Sequence, residues 1–141
     1  MTREPSPPPA GVAFTVPGHP IPQPRQRATA RVDAAGKARV RTYQPDLARS
    51  WKDVVALYGR LAVRGGNWPL DSEYAVHLTV RRSRRVGDVD NFAKAVLDGL
   101  NGIAWNDDRQ VRELHVVIID PPKKGGPEWC FGVDVRIEAG R

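Results

Sequence analysis

Cysteine is almost absent from this chain: of its 141 residues only Cys130 carries a thiol. A single thiol can form no internal disulfide and cannot build a zinc site alone. A reducing cytoplasm is therefore the expected compartment. No stretch approaches the run of about 20 apolar residues needed to span a bilayer. Residues 1–9 lack the apolar segment of a secretory leader, so none is expected. There is no Gly-rich phosphate loop of the Walker type. No Ser, Cys or His is set beside a base in a pattern that would suggest nucleophilic catalysis. Acidic residues are the minority charge, 16 against 22 Lys and Arg, which leaves a net charge of +6 and a pI of about 10.0. That balance favours polyanionic partners, a nucleic acid or an anionic membrane surface. With 40% hydrophobic and 27% charged residues, the rest is ordinary for a globular chain. The length fits a single domain with a modest core.

Proline is not scarce, and much of it sits at the start. Residues 1–11 are Pro-rich and polar and are expected to form a disordered or polyproline-like tail, leaving 12–141 as one domain. A first strand is expected over 12–16. The following segment, 17–24, carries four prolines and reads as a rigid extended loop. Arg25, Arg27 and Arg31 come directly after it. They read either as guanidinium groups presented to phosphates or as a solvated basic loop. Residues 28–43 read as a basic hairpin turning at 34–37, which could lie along DNA or simply guard a sheet edge.

The clearest helix is 46–63. Leu47, Trp51, Val54, Val55, Tyr58, Leu61 and Ala62 recur at spacings of three and four, and Gly65-Gly66 ends the run. A strand follows over 73–82, with Tyr74, Val76, Leu78 and Val80 on one face. It leads into Arg81, Arg82, Arg84 and Arg85, a cluster that can attract the DNA backbone or compensate nearby carboxylates. Strands over 111–119 and 129–137 are expected to pair antiparallel through the Pro- and Lys-rich loop between them. His77 and His115 fall inside strands and read as structural.

Between these strands lies the stretch that organises the chain, 84–111. Asp88 and Asp90 are two residues apart, and on an extended backbone they would share a face. Phe92, Val96, Leu97 and Leu100 then recur at helical spacing until Asn101-Gly102. Asp90 is placed like the N-cap, and Lys94 lies one turn further on the same side. Asp107 and Asp108 follow a short loop and precede the next strand. The expectation is strand, Asp-x-Asp, helix, loop, Asp-Asp, strand, with the two acidic segments within reach of each other. Carboxylates forced together resist ionising. Mg²⁺ or Mn²⁺ would offset that repulsion through hard oxygen ligands.

This arrangement resembles the RusA family of Holliday-junction resolvases. The matching residues are Asp88-Val89-Asp90-Asn91, Lys94, Leu97-Asp98-Gly99-Leu100 and Trp105-Asn106-Asp107-Asp108-Arg109-Gln110-Val111, supported by Gly18-His19-Pro20-Ile21-Pro22-Gln23-Pro24-Arg25-Gln26-Arg27. The resemblance implies a catalytic set of Asp88, Asp90, Asp108 and Lys94. It implies Mg²⁺, with Mn²⁺ as substitute, held by Asp88, Asp90 and Asp108, with Asp107 as the other candidate of its pair. It also implies four-way DNA junctions as substrate and a C2 homodimer as the working unit, since two symmetric cuts need two sites so related. DNA contact is expected from Arg25, Arg27, Arg31, Arg81, Arg82, Arg84 and Arg85, with no membrane partner.

The expected fold is α+β, a mixed sheet of five or six strands with two principal helices packed on it, as a homodimer. Two other readings stay open. One is a non-catalytic protein that binds branched DNA, with the acids as caps and loop charges. The other is a nuclease acting on flaps or other branches.

Overall fold

A computed structural model describes residues 11–24, 28–32, 38–42, 46–66, 68–69, 71–121 and 130–140. The tail expected over 1–11 lies outside them apart from Gly11, which begins the first strand. The strands are β1 (Gly11–Pro17), β2 (Ala28–Val32), β3 (Ala38–Thr42), β4 (Tyr74–Arg81), β5 (Val111–Ile119) and β6 (Gly132–Ala139). The helices are α1 (Asp46–Val63) and α2 (Val89–Leu100). The six strands form two sheets, a four-stranded one ordered β1-β6-β4-β5 and a separate antiparallel β2-β3 pair. The fold is α+β with a mixed sheet, as the sequence pattern indicates, but that sheet has four strands rather than five or six, because β2 and β3 pair with each other and not with it.

One pairing departs from expectation. β5 and β6 do not form a hairpin: β5 pairs parallel to β4, and β6 lies antiparallel between β1 and β4. The reason is α2. A helix joining two strands returns the chain to its starting end, so β4-α2-β5 is a crossover and its strands run parallel. Burial matches the outcome. β6 presents Val133, Val135 and Ile137 to the core at 0–2% exposure, as an inner strand should. β5 leaves Leu114, Val117 and Ile119 exposed, the pattern of an edge.

Both helices cover one face of the large sheet. Tyr74, Val76, Leu78 and Val80 of β4 pack with Trp51 and Val55 of α1 and with Phe92, Val96 and Leu100 of α2. Full burial of such side chains contributes about 1.5–3 kcal/mol each. The stripe on α1 is narrower than the spacing suggests. Leu47 and Leu61 face solvent, and Ala48 and Gly59 take the inward positions. The small residues let the helices approach closely. A Cβ on Gly99 would come 2.9 Å from Val55 and 3.1 Å from the Lys52 carbonyl, and one on Gly59 would strike Leu100. Lys52 and Asp98 bridge the same crossing at 3.6 Å.

Among the described residues the other face of the sheet carries no helix. Its rows, read across β1, β6, β4 and β5, include Ala13-Arg136-His77-His115 and Thr15-Asp134-Thr79-Val117. The His77 and His115 rings stack with centroids 4.6 Å apart.

Candidate active site

β4 ends at Arg81, and residues 82–88 turn the chain back over the sheet. Gly87 has φ +105°, and a Cβ there would sit 2.7 Å from the Phe92 ring and 3.0 Å from Pro22. The turn therefore has no room for a side chain. Arg82 clamps it, with Nη1 donating to the Gly87 carbonyl at 2.9 Å and Nε donating to Asp120 at 2.6 Å. The helix begins two residues earlier than the spacing suggests. Asp88, with φ −91° and ψ 153°, is the N-cap, and Asp90 lies in the first turn. The deciding bond runs from the Phe92 N–H to the Asp88 carbonyl at 3.1 Å, which makes Asp88 the first acceptor of the helix.

The Asp88 side chain makes no capping hydrogen bond, and both carboxylates are exposed. Their charge at the positive end of the helix is favourable, which offsets part of their mutual repulsion. Lys94 is exposed one turn beyond Asp90. The N-terminal Pro-rich segment is a buttress for this end: the Gln23 N–H donates to the Asn91 carbonyl at 2.9 Å, and Gln23 Oε1 is buried with no hydrogen-bond partner among the described residues.

The second acidic pair is built differently. After α2, the Gly102 N–H donates to the Trp105 carbonyl at 2.7 Å, and Trp105 bridges Asn101. The Trp105 side chain is fully buried, 6.0 Å from the Tyr74 ring by centroids. A short 3-10 helix, Asp108–Gln110, follows. Asp107 is its N-cap: Asp107 Oδ1 accepts from the Arg109 N–H at 2.9 Å, and the Gln110 side chain returns to the Asp107 N–H at 3.1 Å, completing a capping box. Gln110 also donates to the Ser72 carbonyl at 2.9 Å, tying this loop to the start of β4. Asp108 has a different partner, the Trp105 indole, whose Nε1 donates to Oδ1 at 3.0 Å. The pair thus divides: Asp107 is occupied by backbone amides, and Asp108 is exposed with one oxygen oriented by the indole.

The two pairs do not meet within one chain. Asp88 and Asp90 lie at the C-terminal end of β4, beside Arg82 and Asp120. Asp107 and Asp108 lie at its N-terminal end, beside Ser72 and Tyr74. A 12-residue helix between them spans about 18 Å. Among the described residues no group of three or more His, Cys, Asp or Glu is placed to hold a metal ion. What one chain offers at the start of α2 is two exposed carboxylates. That set suits Mg²⁺, which is often held by one or two carboxylates together with waters and substrate phosphate.

A family model for the endodeoxyribonuclease RusA matches residues 17–138. This chain belongs to the RusA endodeoxyribonuclease family. Among curated proteins none matches it significantly. The matched span begins at the last residue of β1 and contains β4, β5, nearly all of β6, both helices and both acidic pairs. As a RusA family member the chain is an endonuclease of DNA, consistent with its net charge of +6. No helix among the described residues is long and apolar enough to cross a membrane.

The arginines expected to contact DNA separate into groups. Arg81 turns to the open face, where Nε donates to the Cys130 carbonyl at 2.9 Å and Nη1 pairs with Asp134. Arg82 is the clamp described above. Arg84 and Arg85 are exposed beside the acids and make no ion pair among the described residues. Arg25 and Arg27 lie outside the described residues, and Arg31 sits opposite Arg39 in the β2-β3 register. Asp120 is an acid at this end that the sequence pattern did not single out. Its hydrogen bond from Arg82, reinforced by the charges of Arg82 and Arg85 against some desolvation, holds its carboxyl below the ordinary value of 3.8.

Proposed function

We propose that this protein is a Mg²⁺-dependent resolvase of four-way DNA junctions, acting in recombination and repair as a C2 homodimer. The observation that carries the reading is the start of α2: Asp88 as N-cap, Asp90 in the first turn and Lys94 one turn on, in a chain of the RusA family. Asp88 and Asp90 of one protomer would hold Mg²⁺ together with the partner's Asp108, since the two acidic pairs of a single chain do not meet, and Mn²⁺ could substitute. Asp107 serves as the helix cap. When bound, the ion lowers the pKa of a water and neutralises charge on the phosphate.

The protein's own groups do the rest. Lys94 offers a cation to the charge that builds on the phosphate, or orients the attacking water. Arg84 and Arg85 draw the backbone toward acids that would otherwise repel it. The fixed turn at Gly87 and the Gln23–Asn91 buttress hold the two carboxylates in place before substrate arrives, which lowers the cost of orientation. A reducing cytoplasm, where DNA is accessible, suits a chain with one free thiol.

The test is cleavage of a labelled synthetic four-way junction beside linear duplex and flap controls, in Mg²⁺, in EDTA, and with Asp90→Asn. Paired symmetric nicks confined to the junction, absent in EDTA and in the variant, are expected. Tight junction binding with no cleavage under any metal would leave only a branched-DNA-binding protein. Cleavage indifferent to branching would retain the acidic site and remove the junction as substrate.

A further inference from the structure

We infer that Asp120 is a positioning residue of the acidic site, acting through Arg82 to fix the peptide that carries Asp88. The inference rests on the acid-site reading above and adds a residue, outside the Asp88–Asp90 pair, that tunes the hold of that pair on its cation.

The first argument is where the strands stop. The β4-β5 register ends at Arg81 opposite Ile119, and the Arg82 N–H donates to the Ile119 carbonyl at 3.2 Å. Arg82 and Asp120 are the next residues along the two strands, so the sheet itself brings them side by side. Asp120 also precedes Pro121. A residue before proline is restricted to extended backbone, so Asp120 continues the line of β5. Its Oδ1 accepts from Arg82 Nε at 2.6 Å. The Arg82 side chain is only 16% exposed, so its guanidinium depends on protein partners more than a solvated one would.

The second argument is what the far side of the guanidinium holds. Arg82 Nη1 donates to the Gly87 carbonyl at 2.9 Å. That carbonyl belongs to the peptide joining Gly87 to Asp88. A peptide unit is planar, so the direction of its carbonyl fixes the torsions on both sides of it. A glycine, here at φ +105°, leaves that plane freer to turn than any other residue would. The Arg82 bond removes this freedom. The backbone of Asp88, at φ −91°, and the direction in which its side chain leaves α2 are therefore set by a chain of bonds that starts at Asp120.

The third argument is charge. The Gly87 bond places the Arg82 guanidinium one peptide away from Asp88. Asp120 matches its charge and keeps it turned toward the end of β5. Without Asp120, the carboxylates at the start of α2 become the alternative partner. A guanidinium taken up by them would compete with Mg²⁺ for the same oxygens. Loss of Asp120 thus acts twice, by loosening the Asp88 peptide and by releasing a competing cation. Both effects fall on the metal rather than on the fold, since an exposed ion pair contributes little to stability.

The experiment is a Mg²⁺ titration of the full chain without DNA, followed by the backbone amide shifts of residues 88–91. Asp120→Ala is expected to raise the Mg²⁺ concentration for half-saturation about tenfold, the usual cost of losing an outer partner of a ligand. In an Arg82→Gln background the same substitution is expected to change nothing, because its route is gone. The Mg²⁺ requirement of junction cleavage should shift by the same factor, with the rate at saturating Mg²⁺ retained. Unchanged half-saturation in Asp120→Ala overturns the inference and leaves a surface ion pair. An effect that persists with Arg82→Gln also overturns it, since Asp120 would then act by its own charge. Asp90→Asn that binds Mg²⁺ as the parent does is a separate result, which would sink the acid-site reading itself.

Discussion

The Trp105 indole N–H donates to Asp108 Oδ1 at 3.0 Å from a fully buried ring. A rigid donor of this kind sets the direction of the carboxylate and leaves its second oxygen for another partner, the role that outer hydrogen bonds commonly play around a cation. Trp105→Phe keeps most of the ring and removes the N–H. It is expected to raise the Mg²⁺ concentration for half-maximal cleavage about tenfold, with a stability loss of roughly 1–3 kcal/mol. A Mg²⁺ titration of junction cleavage, with thermal unfolding alongside, measures both. An unchanged Mg²⁺ requirement would make the indole a core residue only.

The neighbouring acids should respond oppositely to the same change. Asn caps helices about as well as Asp, so Asp107→Asn should keep cleavage within a few-fold of the parent. Asp107→Ala, which cannot cap, should cost about 1 kcal/mol. Asp108→Asn should abolish cleavage while leaving unfolding almost unchanged. Loss of cleavage in Asp107→Asn would reverse the assignment.

The arginines make a prediction about salt. A phosphate contact adds about 0.9 to the slope of log affinity against log salt on duplex DNA. Arg84→Ala and Arg85→Ala should each reduce that slope for junction binding by nearly that amount. Arg81→Ala should leave the slope alone and lower the melting temperature, because its guanidinium is bound to Asp134 and the Cys130 carbonyl. Filter binding across a salt series separates the two.

Asp120 gives a pH signature. Its carboxyl is held below 3.8 by Arg82. A carboxylate depressed in the folded state contributes stability above its unfolded pKa and loses it as pH falls through the folded one. The stability difference between the parent and Asp120→Asn should therefore be constant near neutrality and shrink as acid is added below about pH 4. Carbon-detected titration of the Asp120 carboxyl should show the depressed value rising toward the ordinary one in Arg82→Gln.

At Gly99, helix propensity alone favours alanine by about 1 kcal/mol. The close approach of α1 opposes it, since the new methyl would meet Val55 at 2.9 Å and the Lys52 carbonyl at 3.1 Å. Overpacking costs roughly 1–3 kcal/mol. Gly99→Ala should be net destabilising in urea unfolding; a stabilised protein would mean that α1 can shift aside.

Local features were readable in the sequence because they depend on local periodicity. The bounds of α1, the inward face of β4 and the apolar stripe of α2 all follow from residue spacing. The cap of α2 was misplaced by two residues, Asp90 for Asp88, because either Asp satisfies the pattern and only the Phe92–Asp88 bond chooses between them. The β5-β6 hairpin was misread because neighbours in sequence are not neighbours in the sheet once α2 imposes a crossover. The separation of the two acidic pairs was implicit in the sequence. A helix of the length that the Phe92 to Leu100 spacing requires must carry Asp107 and Asp108 away from Asp88.

The position of β6 also bears on how the chain is made. It comes last in chain order among the described strands, yet it occupies an inner slot between β1 and β4. Until residues 132–139 emerge, the first strand has no partner in the large sheet and one side of β4 stays open. Until then the nascent chain carries an unfinished sheet. Pairing β1 with the rest is then a late, long-range event, of the kind that slows folding and exposes a chain to misassembly.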